Sequence, residues 1–431
     1  MELFDSLNTL YLVDCSPKQQ AKTAVNLGIQ VVRKELNATI ISYHDKMPVV
    51  QDKIYFSCFY PLHIFNALYF IRNNKINPKE IKCIIGGQGV SGLQCLDEIF
   101  TVFKGEVTGW DYETKEDGIW CWDREIVTDP IITKQGAVIE LSRGCENRCK
   151  FCQYSWLTGG KYREKSLELV KKQLLQISMI RPKGLVNVLT TDYLGLHNFN
   201  EIEEYVRVLD LRIMDIDKSL KHFWNIENYK AKHHNSVRIC PESLSSDCRH
   251  KFGKNISDDD LYRSLYYCFL NYSYIDILLI YGLPEDNYED WFCMIEKIGD
   301  LRRRQKNPIR LNIKITDFMP MYGTPYAESD PVDFVKKQTF IARWIEALKK
   351  EGIFTESMSG KHHLMSGLIG RRECSYMVEY KLRTSKTEIT DVLMSSFRNG
   401  VRRWLEEKDC REFLEKVELE RDRYGLVQLW K

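Results

Sequence analysis

Short apolar segments alternate with amphipathic segments in the N-terminal part of this chain. Strand-like runs occupy residues 10–14, 38–43, 53–58 and 82–87, and helical patterns occupy residues 18–36 and 63–72. Apolar strands separated by amphipathic helices form βαβ units, whose strands pair in parallel in a doubly wound sheet. The pattern predicts an α/β chain with a Rossmann-like domain over residues 1–110, followed by a connector over residues 111–136.

The same alternation resumes after the connector and continues to about residue 326. Strand-like runs occupy residues 137–141, 185–192, 237–243, 275–282 and 310–315, and helical patterns occupy residues 166–180, 198–210 and 258–270. This order predicts a partial (βα)6 barrel over residues 137–330, and barrel enzymes keep their chemistry just after the strand ends. The charged, helix-forming sequence that follows predicts a helical C-terminal region over residues 331–431.

Composition and charge narrow the class of protein. The chain has 431 residues, 14 cysteines and a formal net charge of +2. A nearly neutral chain gives no electrostatic indication of a nucleic-acid or membrane partner. The start of the sequence has no secretory signal pattern, and no apolar run approaches the length of a membrane span. We therefore expect a cytoplasmic protein whose cysteines are reduced.

Three cysteines follow the first strand of the predicted barrel at C-x3-C-x2-C spacing, namely Cys145, Cys149 and Cys152. Thiolates this close on one loop can ligate three irons of a 4Fe-4S cluster and leave the fourth iron open for reaction. Arg148 and Lys150 add positive charge, which favours thiolates. A zinc site is the alternative, but zinc needs a fourth ligand, and no Cys or His stands within a turn of this loop.

The spacing, with Phe151 before the third cysteine, resembles the signature of the radical S-adenosylmethionine (SAM) enzymes. The resemblance implies that the open iron chelates the methionyl amine and carboxylate of SAM. One electron, from a donor such as a flavodoxin or a ferredoxin, then cleaves SAM to a 5'-deoxyadenosyl radical. Phe151 would pack under the adenine, although it is equally suited to filling the core of the loop.

Later segments resemble further elements of the cobalamin-type radical SAM class. Pro241-Glu242-Ser243 and the segment 251–260 imply that Glu242 or Ser243 approaches SAM, whose ribose hydroxyls need acceptors. Arg249, Lys251 and Lys254 are candidate cations for the SAM carboxylate. The same resemblance assigns three more segments. The backbone of the turn Gly282-Leu283-Pro284 would contact adenine, and the turn 318–326 would follow the sixth strand. Thr191-Asp192 would contact SAM or substrate, or would simply cap a turn.

The N-terminal domain has its own resemblance. Residues 84–87 and 103–106 are similar to the end of the cobalamin-binding domain that precedes the barrel in this class, where Gly86 and Gly87 would lie against the corrin. The D-x-H-x-x-G motif that would ligate cobalt is absent, and His44 lacks the following glycine. Either a corrin binds without a protein ligand, or the domain has lost its cofactor.

Three functions remain open from the sequence. The first is a cobalamin-type radical SAM enzyme that modifies, most often by methylation, an unreactive carbon of an unidentified substrate. The second is a methylthiotransferase acting on tRNA or protein, with a second cluster held by Cys15, Cys58 and Cys83. The third, an electron carrier, is disfavoured because a carrier normally closes all four iron sites.

Overall fold

A computed structural model provides the structure of the chain. It describes residues 10–16, 29, 33, 37–48, 52–58, 63–87, 100–103, 131–132, 136–157, 162–214, 217–218, 222, 235–305, 309–318, 320–321, 323–327, 329 and 334–357. Two compact units divide these residues, one containing the sheet of residues 11–103 and the other containing residues 131–320 and 334–357. In the described part of the chain, no helix is both long and apolar enough to cross a membrane.

The first unit contains a five-stranded parallel sheet with the strand order β2-β1-β3-β4-β5. Its elements are β1 (Tyr11–Asp14), β2 (Thr39–Ser42), β3 (Lys53–Ser57), α1 (His63–Asn73), β4 (Lys82–Gly86) and β5 (Phe100–Phe103). The predicted Rossmann-like strands are confirmed, whereas most of the predicted helix over 18–36 lies outside the described residues. The strand order reverses between β1 and β3, and such a switch point is where doubly wound sheets bind ligands.

Both faces of this sheet are apolar, as a sheet covered on both sides requires. Leu12, Tyr55 and Ile84 belong to one buried cluster. Phe56 contacts Phe70 of α1 with its ring edge-on, at a centroid distance of 5.8 Å. The alternation of these side chains along the strands fixes the register of the sheet, because a slip of one residue would exchange its two faces.

Gly87 follows β4 and approaches the chain after β3. Its φ is +110°, and a Cβ at this position would lie 2.3 Å from the carbonyl oxygen of Cys58. We had expected a glycine here so that a flat macrocycle could approach the backbone. The structure supplies a reason that is independent of any ligand, because the backbone of Cys58 by itself excludes a side chain at residue 87.

Gly87→Ala is therefore expected to destabilise the first unit by about 3 kcal/mol, whether or not a cofactor binds. Gly86→Ala is the matched control, since a Cβ there would meet no atom closer than 3.5 Å. Hydrogen exchange of β3 and β4 peptides in increasing urea measures the difference. Equal stability of the two variants would contradict the steric explanation.

The second unit contains two parallel sheets, with the strand orders β11-β10-β7-β6 and β12-β13-β14-β15-β16, and only β6 runs antiparallel to its neighbour. The strands are β6 (Ile131–Ile132), β7 (Ala137–Glu140), β10 (Leu185–Leu189), β11 (Arg212–Met214), β12 (Asp217–Lys218), β13 (Ser236–Glu242), β14 (Tyr274–Tyr281), β15 (Arg310–Asp317) and β16 (Phe354–Ser357). A separate pair, β8 (Ser142–Arg143) and β9 (Arg163–Glu164), flanks the cysteine loop. The five strands expected from the sequence are confirmed.

Helices connect these strands. They are α2 (Gln153–Leu157), α3 (Leu167–Ile180), α4 (Phe199–Val208), α5 (Ser246–Lys251), α6 (Asp258–Asn271), α7 (Tyr288–Arg303) and α8 (Phe334–Lys350). Two of these helices begin at a serine N-cap: Ser166 accepts a hydrogen bond from the N–H of Leu169, and Ser257 forms a reciprocal capping box with Asp260. Each cap satisfies N–H groups that the first helical turn leaves without a partner.

The second sheet continues past residue 330, where we had predicted the end of the barrel. Residues 334–350 form α8, and β16 pairs in parallel with β15 from Asn312 to Ile315. These elements form one more strand-helix-strand unit, so the predicted boundary is too early. The amphipathic pattern after residue 330 was correctly assigned to a helix, but the short strand that follows had no distinctive sequence signal. The rest of the predicted C-terminal region, from residue 358, lies outside the described residues.

Candidate functional site

The three cysteines of the motif lie on a loop directly after β8, at the carboxyl end of the first long barrel strand. Cys149 is buried, whereas Cys145 and Cys152 are partly exposed, and all three are free thiols. The N–H of Cys152 donates to the carbonyl of Cys149 at 3.0 Å. The indole of Trp156 donates to the same carbonyl at 3.0 Å. These two bonds fold the segment from Cys149 to Trp156 back onto the carbonyl of Cys149.

The segment after α5 forms the other side of the loop. The N–H of Lys150 donates to the carbonyl of Phe252 at 2.7 Å. Gly253 has a φ of +96°, and a Cβ there would lie 2.8 Å from the carbonyl oxygen of Arg148. The ring of Phe151 meets Phe252 edge-on at 5.2 Å. Phe151 therefore packs against the supporting segment, which is the second of the two roles that its sequence position allowed.

Charge near the loop is set by a buried ion pair. The ammonium of Lys254 contacts the carboxylate of Glu242 at 3.1 Å and also donates to the carbonyl of Cys240. Burial alone would lower the pKa of Lys254, but Glu242 and the neighbouring thiols keep it above its usual value. Glu242 has a φ of +68°, a conformation that costs free energy for a residue other than glycine and is found most often at functional sites.

Burial makes two of the three thiols, those of Cys145 and Cys149, hold their protons more tightly than a free cysteine does. Burial raises the pKa of Cys149 to about 12, and the positive charge of Lys254 partly opposes this. Burial also raises the pKa of Cys145, whose thiol is close to the hydroxyl of Thr191. Loading a metal must therefore expel protons from these thiols, and the metal charge replaces them.

The donor set fits a cluster better than a single ion. In the described part of the chain, no three His, Cys, Asp or Glu side chains surround one metal position. The three thiols are nevertheless close enough that Cys145 and Cys152 both raise the pKa of Cys149. Separated thiolates on one loop suit a polynuclear iron–sulfur centre, in which each sulfur binds a different iron.

A cleft opens beside the first cysteine. It is small and open to solvent, and it is lined by Cys145, Glu146, Asn147, Tyr162, Thr191, Asp192, Gly195 and His222. The hydroxyl of Thr191 donates to the carbonyl of Gly144 at 3.1 Å, which ties the end of β10 to the cysteine loop. Thr191 and Asp192 thus lie beside the cysteine loop. His222 was not identified from the sequence, because it stands alone in a segment without a motif.

Ser243 and the turn after β14 lie on a different side of the site. Ser243 is fully buried, and its hydroxyl donates to Asp286 at 2.8 Å and accepts from the indole of Trp291 at 3.1 Å. Its side chain therefore links two turns within the protein. In the turn itself, Gly282 has a φ of +91° and its N–H donates to the hydroxyl of Tyr288 at 2.9 Å. Leu283 is buried and Pro284 is partly exposed.

The three candidate cations have different surroundings. Arg249 is fully buried and donates to the carbonyls of Ser243 and Ile256 and to Asp258, so it acts inside the fold. Lys251 is exposed and pairs with Asp247 and Glu285. Of these three, Lys254 is the cation whose charge acts on Cys149.

Asp286 is a buried acid whose ionisation opposes folding. Burial raises the pKa of this carboxyl to about 6, although the bonds from Ser243 and Trp291 act in the opposite direction. Among the described residues, no N–H or O–H group reaches its second oxygen. The folded state thus binds a proton that the unfolded state has already lost, and the free energy of unfolding falls as the pH rises from about 4 to about 6.

Asp286→Asn is expected to remove this dependence, so that the variant gains about 2 kcal/mol relative to the wild type between pH 4 and pH 7. Urea unfolding at a series of pH values measures the gain. The control is Glu296→Gln, which neutralises a carboxylate that is 69% exposed on α7, the helix that follows Asp286. A constant difference between wild type and Asp286→Asn across this range would contradict the assignment.

In the first unit, Gly86 and Gly87, the residues predicted to contact a corrin, lie at the carboxyl edge of the sheet. The N–H of Cys58 donates to the carbonyl of Gly86 at 2.9 Å, and Gly87 follows directly. Cys15 and Cys58 follow β1 and β3, and their thiols interact. Cys83, however, is the second residue of β4. Because Ser57 pairs with Gly86, Cys58 is level with Gly87, and Cys83 lies four residues of strand, or about 13 Å, away. The structure therefore contradicts the proposed second cluster on Cys15, Cys58 and Cys83. Nothing else favours methylthiotransfer.

Comparison with known proteins agrees with this geometry. The sequence model of the radical SAM superfamily matches residues 139–298. An uncharacterized protein of Methanocaldococcus jannaschii is 24% identical over 344 residues, covering 71% of this chain and 74% of its own length. Two solved structures share the fold. One is the radical SAM methyltransferase TsrM from Kitasatospora setae, solved with cobalamin and a [4Fe-4S] cluster (TM-score 0.52, 11% identity, 74% of this chain and 77% of that chain).

The second solved structure that shares the fold is the cobalamin-dependent SAM radical enzyme OxsB, solved with aqua-cobalamin and SAM bound (TM-score 0.50, 15% identity, 93% of this chain and 72% of that chain). The parallel sheets and the cysteine loop after the first long strand define a radical SAM domain. Residues 139–298 of this chain are such a domain. The predicted α/β architecture, with a Rossmann-like sheet before a radical SAM barrel, is confirmed at the level of the fold.

Proposed function

We propose that this chain is a radical SAM enzyme that cleaves SAM reductively and modifies, by methylation, an unreactive carbon of its substrate. The observation that carries the proposal is the cysteine loop, which places Cys145, Cys149 and Cys152 within electrostatic range of one another at the strand ends of a radical SAM domain. When bound, a 4Fe-4S cluster with SAM would supply one-electron chemistry that the side chains of the protein cannot provide.

The side chains of the chain have defined tasks in this function. Cys145, Cys149 and Cys152 would hold the cluster, and the ammonium of Lys254 would offset the negative charge of the thiolates. Glu242 has a carboxylate suited to accept hydrogen bonds from ribose hydroxyls. An electron donor such as a flavodoxin or ferredoxin would supply the reducing electron.

The methyl carrier would be cobalamin bound at the carboxyl edge of the first sheet. Supporting this, β1 and β3 form a switch point, where sheets of this order bind ligands. Within the described residues, the Asn66 side-chain oxygen is buried there without a hydrogen-bond donor, while its amide donates to the carbonyl of Cys15 at 2.8 Å. An unsatisfied acceptor suits a ligand rich in amide N–H groups. Gly86 and Gly87 would then lie beneath the ring.

Anaerobic reconstitution tests the proposal. Protein loaded with iron and sulfide, reduced with dithionite and given SAM is expected to release 5'-deoxyadenosine. Formation of S-adenosylhomocysteine alone would instead indicate polar methyl transfer, and formation of neither product would refute the proposed function. Uptake of hydroxocobalamin, followed by its absorbance spectrum, tests the methyl carrier separately. Protein that cleaves SAM but binds no cobalamin would restrict the proposal to direct radical chemistry.

A further inference from the structure

An acid and a histidine meet in the cleft beside the cluster loop. The Nδ1 atom of His222 lies 2.6 Å from Oδ2 of Asp192, and the two side chains are 26% and 13% exposed. Asp192 follows β10, whereas His222 follows β12, so the two residues come from different strand ends of the second unit. Both side chains line the same cleft as Cys145.

Gly195 makes this contact possible. A Cβ at residue 195 would lie 2.3 Å from Nδ1 of His222 and 2.4 Å from Oδ2 of Asp192. The φ of Gly195 lies outside the left-handed region, so its backbone does not itself require glycine. The absent side chain leaves the space that the acid and the imidazole share. A larger residue at position 195 would push the carboxylate and the imidazole apart, although the chain would still contain both side chains.

Other titratable groups also face the cleft. Glu146 and Cys145 line it from the cysteine loop, and Tyr162 lines it from the segment before β9. Burial and the neighbouring Glu164 raise the pKa of Tyr162, whose hydroxyl donates to Glu164 at 3.0 Å. Tyr162 is therefore a neutral hydrogen-bonding group, and among these side chains Asp192 and His222 form a pair in which a carboxylate contacts an imidazole.

A carboxylate on Nδ1 fixes the tautomer of an imidazole. It holds the proton on Nδ1, leaves Nε2 as the basic nitrogen, and stabilises the imidazolium that forms when Nε2 takes up a proton. We propose that His222 is the proton acceptor of this site and that Asp192 is its positioning residue. The inference rests on the proposed function, because it assigns a step to the same site.

The step defines a class of substrate. An N–H or O–H bond of the substrate breaks, its proton forms a bond to Nε2 of His222, and the electron pair stays on the substrate nitrogen or oxygen. The added electron density activates the adjoining carbon for the modification. The substrate therefore carries an N–H or O–H group next to the carbon that changes, and a substrate with only C–H bonds at this position would not use the pair.

Three variants and a control test the pair. His222→Gln removes the base, Asp192→Asn removes the charge that orients it, and Gly195→Ala separates the two groups without removing either. The control is His250→Gln, since His250 is an exposed histidine of α5 whose ring bonds to its own helix. Nitrogen-15 spectra of histidine-labelled, metal-free protein at pH 7.5 are expected to show a neutral Nδ1–H tautomer for His222. This preference is expected to be lost in Gly195→Ala and kept in His250→Gln.

Two further readouts separate this inference from the proposed function. Deoxyadenosine release by reduced, reconstituted wild-type protein with SAM alone tests the proposed function by itself, and it is expected to stay within about twofold of wild type in the control His250→Gln. In cells fed [methyl-13C]methionine, the labelled product that depends on the three cysteines is expected to fall about 100-fold in His222→Gln and in Gly195→Ala, a typical loss for a general base. It is expected to remain in His250→Gln.

Several outcomes overturn the inference. An imidazolium or an Nε2–H tautomer of His222 in the wild type would leave no basic nitrogen to accept the proton. Loss of deoxyadenosine release in His222→Gln would make the residue a SAM-binding group, and undiminished labelled product in that variant would remove any need for a base. If the wild type releases no deoxyadenosine, the proposed function is refuted, and the role of His222 as a proton acceptor in that function is refuted with it. An Nδ1–H tautomer in the spectra would then support only the contact between His222 and Asp192.

Discussion

Replacing Cys145, Cys149 and Cys152 together with alanine is expected to reduce the iron content of reconstituted protein from about four atoms per chain to none. Reductive cleavage of SAM is expected to disappear with it. The physical reason is that the three thiolates are the iron ligands of the loop, while the carbonyls of Gly144, Asn147 and Cys149 already accept hydrogen bonds within the protein. Iron and sulfide assays, the visible absorbance of the cluster and deoxyadenosine release measure the effect.

The control for this change is Cys293→Ala, because Cys293 is an exposed cysteine of α7 outside the motif. It is expected to keep both the cluster and the release of deoxyadenosine. The triple variant should also retain its fold, since a free cysteine packs as a small hydrophobic residue and alanine is only slightly smaller. A triple variant that still bound four irons would show that the cluster is held elsewhere, and the central assignment would be wrong.

The parts of this molecule that were predictable from the sequence are those set by local chemistry. Short apolar runs located β13, β14 and β15, because strands of a parallel sheet pack against other layers on both faces. Ser166 and Ser257 marked helix starts, because a hydroxyl at this position satisfies N–H groups of the next turn. The cysteine spacing was predictable for the same reason: three ligands on one short loop are an arrangement that the sequence shows directly.

The parts that were not predictable depend on contacts between distant segments. His222 meets Asp192 across 30 residues, and neither residue has a neighbour that signals the other. The need for glycine at residue 195 is visible only in the structure, where a side chain there would collide with both His222 and Asp192. Ser243 matched a cofactor-binding motif, yet it is fully buried; the sequence shows the residue but not the direction of its side chain. The steric need for glycine at residue 87 was likewise not visible, because the backbone that it approaches, at Cys58, follows a different strand.

Lys254→Met is expected to destabilise the second unit by about 3 to 5 kcal/mol, because removing one member of a buried ion pair leaves the other charge in a poorly solvated position. Lys254 is only 8% exposed, and its ammonium lies 3.1 Å from the carboxylate of Glu242. The same change removes the positive charge that lowers the pKa of Cys149. Cluster assembly should therefore need a higher pH than in the wild type.

Lys251→Met is the matched control, because Lys251 belongs to the same segment but is 42% exposed, and exposed pairs contribute about 1 kcal/mol or less. The double variant Glu242→Gln with Lys254→Met should recover part of the loss, since the stranded carboxylate is then neutral. Hydrogen exchange of β13 peptides in urea measures stability, and iron uptake between pH 7 and pH 9 measures assembly. If Lys254→Met were as stable as Lys251→Met and took up iron with an unchanged pH dependence, then the buried pair would support neither the fold nor the cluster loop, and Lys254 would be free to bind the carboxylate of SAM instead.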